Sequence, residues 1–484
     1  MVALSQILLL TNDSDSHCGK FQNWAVHIMT IRNMHSLNPK RTYITLSLCY
    51  LAFVIYGSLI PFQFRPLPIA EAIDSFRHLP YLHLGIQSRA DFVANILLFI
   101  PLSFFLMGSW LIQNKPSYKK KITVALFVLM FCSLLSFLIE FLQQFFPPRT
   151  VSQNDILAET AGAIIGIIIW LWYGPNLTIW AQGVISEHRP RSLAEKSLIG
   201  YIVALTFFSV FPLDLTISPV EIYHKWKEGR FILIPFDGDY GSFNKFIYDI
   251  LTDIILFIPV GFLSVKTAKN LFKKSLIIRG LLFGVTTAAA IEFLQIFVWS
   301  RYSNVTDIIT GGLGGLVGGI LCYFITEVKP KSYFFETKKS SLVRPNVLFI
   351  AGYLCILILI YWSPFNFNTD RAFILSRLKN ISIIPFYNYY YTSEFHAMTE
   401  ALRKFLFFLP LGILIERFWK DIDCKAHIFI NLIILGFFAG FIEVGQVFLP
   451  GHYPDITDIY LMIIGGMMGL WIYRIMNRVL YGTD

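Results

Sequence analysis

Apolar runs of about twenty residues, separated by shorter polar stretches, fill this chain from Thr42 almost to its end. The runs are continuous and do not alternate, so they predict bilayer-crossing helices and exclude the strands of a closed barrel. Twelve such helices are expected, four in each of three groups. They fall at residues 43–62, 92–112, 122–146 and 156–173, then 197–215, 246–265, 275–299 and 308–325, then 347–362, 402–419, 427–449 and 456–475. The second helix of every group has a central proline, Pro101, Pro259 or Pro410, which removes a backbone donor and bends the helix.

Polar positions show why the grouping is by fours. Glu140, Gln143, Arg149 and Asp155 recur with unchanged spacing as Glu292, Gln295, Arg301 and Asp307, and again as Glu443, Gln446, His452 and Asp458. Glycine pairs follow each set at Gly162 and Gly166, Gly314 and Gly318, and Gly465 and Gly469. The glutamates lie 152 and 151 residues apart (292 − 140 and 443 − 292), so the chain is a threefold internal repeat. The expected units are residues 42–180, 196–328 and 345–480. Residues 1–41 read either as an N-terminal extension or as the product of an upstream start, with Met29 or Met34 as the true beginning.

Further polar positions track the repeat. Asn95, Asp253 and Lys404 stand six residues before the central prolines, and Asp91, Asp249 and Glu400 stand four residues earlier still. First helices end at Pro61-Phe62, Pro212-Leu213 and Pro364-Phe365. The segments that follow contain Pro80-Tyr81, Pro235-Phe236 and Pro385-Phe386, and their amphipathic stretches are expected to lie in the membrane interface.

Composition agrees. Of 484 residues, 55% are hydrophobic and 15% charged, where a soluble domain carries about 25% charged residues; the mean hydropathy is +0.59. The expected fold is an all-α polytopic membrane protein with about twelve transmembrane helices. An even number of helices per repeat gives all three repeats one orientation. Basic clusters at Lys115, Lys119, Lys120 and Lys121, and at Lys266, Lys269, Lys273, Lys274 and Arg279, place the N- and C-termini in the cytoplasm and the Glu–Gln–Arg/His–Asp frame at the outer face. The net charge of +9 then reads as a topology signal and an attraction to anionic lipid, with no nucleic-acid partner. No Cys-x-x-Cys pair, phosphate loop or nucleophile elbow occurs, and no metal or cofactor is expected.

The frame has two physical readings. Glu140 and Gln143 share a face of the third helix, Arg149 lies in the turn, and Asp155 falls in the first turn of the fourth helix, where a carboxylate meets free backbone donors. In one reading Glu, Arg and Asp lock the hairpin of helices three and four by ion pairing. In the other they bind a ligand or do chemistry, since ionisable groups at membrane depth mark functional candidates. The glycine pairs read as close helix packing.

Pro-Phe, Asn-Ile-Leu-Leu-Phe-Ile-Pro-Leu, Glu-x-x-Gln-x-x-x-x-x-Arg and Asp followed by Gly-x-x-x-Gly, in this order, resemble the VanZ-like family, in three copies from about Thr42 to Arg478. That resemblance implies a multi-pass protein of the bacterial cytoplasmic membrane and a link to low-level resistance to the glycopeptide teicoplanin. It brings no reaction. The third copy departs from the pattern at Lys404 and His452, which puts equal activity of the three copies in question. The leading expectation is a cell-envelope factor that binds membrane lipid and a lipid-linked glycan or glycopeptide at the outer leaflet. The alternatives are a transporter or flippase for an envelope precursor, and a membrane enzyme with Glu140 or Glu292 as acid or base.

Overall fold

The computed structural model describes residues 38–81, 86–112, 116–186, 189–216, 218–237, 243–268, 273–327, 345–363, 365–379, 381–392, 394–419, 427–452 and 454–481. Most of the expected N-terminal extension, with Met29 and Met34, and also Pro364 lie outside the described residues.

Repeat 1 comprises α1 (Pro39–Leu59), the short α2 (Ile69–Arg77), α3 (Ile86–Leu111), α4 (Tyr118–Gln143) and α5 (Gln153–Ser186). Repeat 2 comprises α6 (Pro190–Val210), the short α7 (Pro219–Lys227), β1 (Phe231–Ile232), α8 (Phe243–Lys266), α9 (Lys273–Gln295), β2 (Ser303–Asn304) and α10 (Val305–Glu327). Repeat 3 comprises α11 (Pro345–Trp362), the short α12 (Arg371–Lys379) and α13 (Tyr387–Tyr390), α14 (Glu394–Trp419), α15 (His427–Val447) and α16 (Ile456–Tyr481). The described residues thus contain the four long helices expected of every repeat. Nine of the long helices are long and apolar enough to cross a membrane. Of the others, α8 and α14 carry more charge and α11 is shorter. The protein is an all-α polytopic membrane protein.

The pattern of burial suits lipid on the outside. Along α4, Val128, Cys132, Leu135 and Ile139 are buried, while Leu126, Met130, Leu134 and Phe137 are exposed. Both faces are apolar, as in a helix that faces protein on one side and hydrocarbon on the other. Every repeat has its own core. Phe99 and Leu102 with Cys132 and Ile139 form that of repeat 1, Phe257 and Val260 with Ala288 and Ile291 that of repeat 2, and Phe408 and Leu411 with Leu435 and Ile442 that of repeat 3.

Several helix boundaries differ from expectation. The fourth helix of repeat 1 does not stop at Tyr173; it continues through Pro175 to Ser186. Its extension is tied to α1 by a 2.7 Å hydrogen bond between the Tyr43 and Thr178 hydroxyls, so neighbouring structure holds the helix past Pro175. The second helices also begin earlier than expected, at Ile86, Phe243 and Glu394.

The glycine pairs fix how the second and fourth helices meet. A Cβ at Gly162, Gly314 or Gly465 would run into the carbonyl of Ile96, Ile254 or Phe405. One at Gly166, Gly318 or Gly469 would run into that of Ile100, Ile258 or Leu409. Only glycine allows this backbone-to-backbone approach. It also sets position 95, 253 or 404 of the second helix beside the Asp of the fourth.

The repeats close into a ring with all their helix three–four turns at one end. The Arg89 guanidinium donates to both carboxylate oxygens of Glu221, at 2.7 and 2.8 Å, joining repeat 1 to repeat 2. The Tyr56 hydroxyl donates to the Pro385 carbonyl at 2.7 Å, and Gln63 Nε2 reaches the hydroxyls of Tyr387 and Tyr391, joining repeat 1 to repeat 3. At the opposite end, Leu193 and Ala194 pack on Val479, joining repeat 2 to repeat 3.

Candidate functional site

Each first helix ends in a sharp turn. Phe62, Leu213 and Phe365, each following the terminal proline position, have φ of 60°, 68° and 64°. Bulky residues in this left-handed region cost of order 1–3 kcal/mol each and persist only where their surroundings hold them. The frame supplies that support. Gln143, Gln295 and Gln446 donate through Nε2 to the carbonyls of Ser58, Ser209 and Tyr361, at 2.9, 2.9 and 3.4 Å. Arg149 and Arg301 donate through Nε to the carbonyls of Ile60 and Phe211, both at 2.7 Å. His452 Nε2 lies 3.0 Å from the equivalent carbonyl, Ser363. These acceptors are the last carbonyls of the first helix, which lack intrahelical donors and form the negative end of the helix dipole.

The glutamates serve the opposite polarity. Oε2 of Glu140, Glu292 and Glu443 accepts the backbone N–H of Ser152, Asn304 and Asp455, at 3.2, 2.6 and 3.1 Å. These three residues immediately precede the fourth helices, where free N–H groups favour a carboxylate. Their own side chains cap the helix in turn. Ser152 Oγ accepts from the Asp155 amide at 3.3 Å, Asn304 Oδ1 from Thr306 at 2.9 Å and Asp455 Oδ1 from Thr457 at 2.8 Å.

The expected Glu–Arg–Asp ion pairing is therefore corrected. No ion pair joins Arg149 to Glu140 or Asp155, nor Arg301 to Glu292 or Asp307. Each guanidinium is turned to the end of the first helix instead. The turn is short and the carbonyls of the first helix face it, so the guanidinium bonds to the helix end, and in repeat 1 it acts on the acids only at longer range. Burial lowers the pKa of both arginines below the ordinary guanidinium value, and their retention there rests on the carbonyls they bind.

The secondary positions separate the repeats. In repeat 1, Asn95 Nδ2 donates to Asp155 Oδ1 at 2.7 Å, and the Ser152 hydroxyl donates to Oδ2 at 2.8 Å. In repeat 3, the Lys404 ammonium lies 2.6 Å from Asp458 Oδ2 and 3.6 Å from Glu443 Oε1. The Tyr389 hydroxyl donates to Asp458 Oδ1 at 2.6 Å. In repeat 2 the helix-two position is Asp253, and Asp249, Asp253, Glu292 and Asp307 lie close enough to act on one another electrostatically. The Thr310 hydroxyl is 3.4 Å from Asp253 Oδ2. Asp91 is exposed, and Glu400 pairs with Arg403 at 2.6 Å. Among the described residues, no group of three or more His, Cys, Asp or Glu is arranged to hold a metal ion.

The VanZ/LLP1 family matches the chain three times, over residues 28–174, 198–326 and 349–477. The chain belongs to the VanZ/LLP1 family. Its three VanZ repeats are the three units of the fold. No curated protein and no solved structure matches it.

Several members of these VanZ turns were not singled out from sequence. Ser152, Asn304 and Asp455 are N-cap residue types three positions before the Asp, a signal that was present. Thr306 and Thr457 accept the backbone N–H of Phe236 and Phe386, at 2.9 and 2.7 Å. Those two residues follow Pro235 and Pro385 and again have positive φ, 65° and 62°. Lys225 is fully buried and donates to the carbonyls of Gln295, Val298 and Ile296, at 2.6, 2.7 and 3.3 Å, at the end of α9. Arg377, at the same step of α12, donates to the carbonyls of Leu449, at 2.8 Å, and His452. Repeat 1 has Ser75 at this step.

A cavity of about 420 Å³ opens between repeats 1 and 2, lined by Tyr50, Ala90, Ala94, Leu98, Phe211 and Leu213 among others. Its walls are largely apolar, and Ala94 precedes Asn95, the hydrogen-bond partner of Asp155.

Proposed function

We propose that this VanZ protein is a cell-envelope factor of the bacterial cytoplasmic membrane, with the turn end of its ring at the outer leaflet. There it binds the head of a lipid-linked glycan or glycopeptide and lowers susceptibility to teicoplanin. The observation that carries this reading is the collection of all three frames at one end of the ring, with Asp155 and Asp307 only half-buried there. Basic residues gather at the other end: Lys119, Lys120 and Lys121 open α4, and Lys266 closes α8. That asymmetry supports a cytoplasmic placement of the opposite end. The cavity between repeats 1 and 2 suits a lipid chain, being apolar and at the depth of the first helix ends.

The test is a deletion strain, complemented or not, scored for teicoplanin susceptibility and for lipid-linked wall intermediates. Loss of the gene should raise susceptibility and change the pool of intermediates. An unchanged strain on both counts would overturn the reading. Reporter fusions after Lys120 should read cytoplasmic and those at Arg301 external; the opposite pattern would overturn the placement.

A further inference from the structure

Positions 95, 253 and 404 occupy one place in the three repeats, because the next residue of each second helix presses its carbonyl on Gly162, Gly314 or Gly465. In repeats 1 and 3 this place carries a nitrogen donor aimed at the acid of the fourth helix. Asn95 gives Asp155 an amide N–H at 2.7 Å. Lys404 gives Asp458 an ammonium at 2.6 Å, with Glu443 at 3.6 Å. Repeat 2 puts a carboxyl, Asp253, at the same place, with Asp249 one turn along where repeats 1 and 3 have Asp91 and Glu400. Asp253 and Asp249 both act on Asp307, and Asp253 acts on Glu292. Among the described residues, no Lys or Arg forms an ion pair with any of these four.

Access differs in the same direction. Lys404, Glu443 and Asp458 are 5%, 4% and 5% exposed, so repeat 3 seals its ammonium inside the protein. In repeat 2, Asp249, Asp253 and Asp307 are only half-buried, while Glu292 is 7% exposed and forms the floor.

We propose that repeat 2 binds a primary ammonium group from outside the chain, in the place that the Lys404 ammonium fills in repeat 3. An ammonium presents three N–H donors on a compact positive centre, and in repeat 3 one such group answers both Asp458 and Glu443, the equivalents of Asp307 and Glu292. A quaternary amine has the charge but no N–H. Two sources share the chemistry: the ethanolamine head of a phospholipid, and the free amino group of an aminosugar in a glycan. This inference deepens the outer-leaflet reading and rests on it for biological meaning, but the binding itself is measured without any phenotype.

The test uses the full chain purified in detergent, its thermal unfolding followed against ethanolamine, glucosamine and choline. A saturable rise in midpoint is expected with ethanolamine or glucosamine, and none with choline; whichever amine acts identifies the source. Asp253→Lys, which supplies its own ammonium, should abolish the response. Asp253→Asn, which reproduces the composition of repeat 1 and guards against misfolding of the lysine variant, should weaken apparent affinity by about tenfold. No response to either primary amine, an equal response to choline, or an undiminished response in both variants would overturn the proposal. A clear response in a protein whose deletion leaves susceptibility and intermediates unchanged would remove the envelope reading and leave the ammonium site standing.

Discussion

In repeat 3 the Lys404 ammonium sits 2.6 Å from Asp458 and over the ring of Tyr361, with hardly any of it exposed. In repeat 2 the same step of the same helix is Asp253, half-buried, with Asp307 and Asp249 close enough to act on it. The backbone around both is alike: glycine against carbonyl, glutamate on the helix-four amide, glutamine on the helix-one carbonyl. Two copies of one scaffold therefore treat the same buried spot oppositely. One holds its own ammonium and is closed, and the other gathers carboxyl groups and is only half-buried. The scaffold bonds are common to all three repeats, so they explain the fold. What differs at position 253 is where function is to be sought.

The largest expected effect comes from removing the internal cation. Lys404→Met leaves Asp458 and Glu443 buried without their partner, which should cost about 3–5 kcal/mol. Folded, monodisperse protein after detergent extraction should fall sharply. A normal yield would show that repeat 3 does not depend on its ion pair and would erase the contrast with repeat 2. Next comes the shared packing. Gly318→Leu forces a side chain against the Ile258 carbonyl and should destabilise by about 1–3 kcal/mol or more, read as a lower thermal midpoint. Gly469→Leu should do the same in repeat 3, because the contrast does not extend to this contact.

A smaller effect sharpens the role of the frame. Arg301 is bound to the carbonyls of Phe211 and Phe208 and not to Glu292. A double-mutant cycle of Glu292→Gln and Arg301→Gln should give a coupling energy below about 0.5 kcal/mol, as for sites without a shared partner. A coupling of several times that size would restore the ion pair expected from sequence.

The smallest effect concerns the contact between repeats 1 and 2. Hydrogen bonds from Arg89 and Thr216 hold the Glu221 carboxyl down at about 2 from its ordinary 4.5. An acid with a depressed pKa contributes stability above its unfolded value, and that contribution is lost as pH falls through its folded value. Arg89→Gln should therefore lower the thermal midpoint slightly above pH 4.5, and the difference from the parent should shrink as pH approaches 2. A difference that grows on acidification would contradict the assignment.

Much of this architecture was legible in the sequence. Uninterrupted apolar runs gave the twelve helices, and the exact recurrence of Glu140, Gln143, Arg149 and Asp155 gave the repeat. Gly-x-x-x-Gly correctly marked close packing, although not that the second helix was the partner. Bonding partners were not legible, because they lie far off in sequence. Arg149 meets Ile60 across 89 residues and Gln143 meets Ser58 across 85. A charged residue near an acid in sequence suggests an ion pair, but the free carbonyls at the end of the first helix compete for the same cation, and they win. Lys225 was missed for a similar reason: its acceptors are backbone carbonyls, which leave no mark on the sequence.

The most direct test of the contrast is Asp253→Asn, expressed at the native level in the deletion strain, with folded protein and teicoplanin susceptibility measured in the same cells. The account predicts a normal amount of folded protein with resistance lost, since the scaffold bonds are untouched and only the acid of repeat 2 is changed. Normal protein with full resistance, in a background where deletion removes that resistance, would contradict it, because position 253 would then be one more scaffold residue.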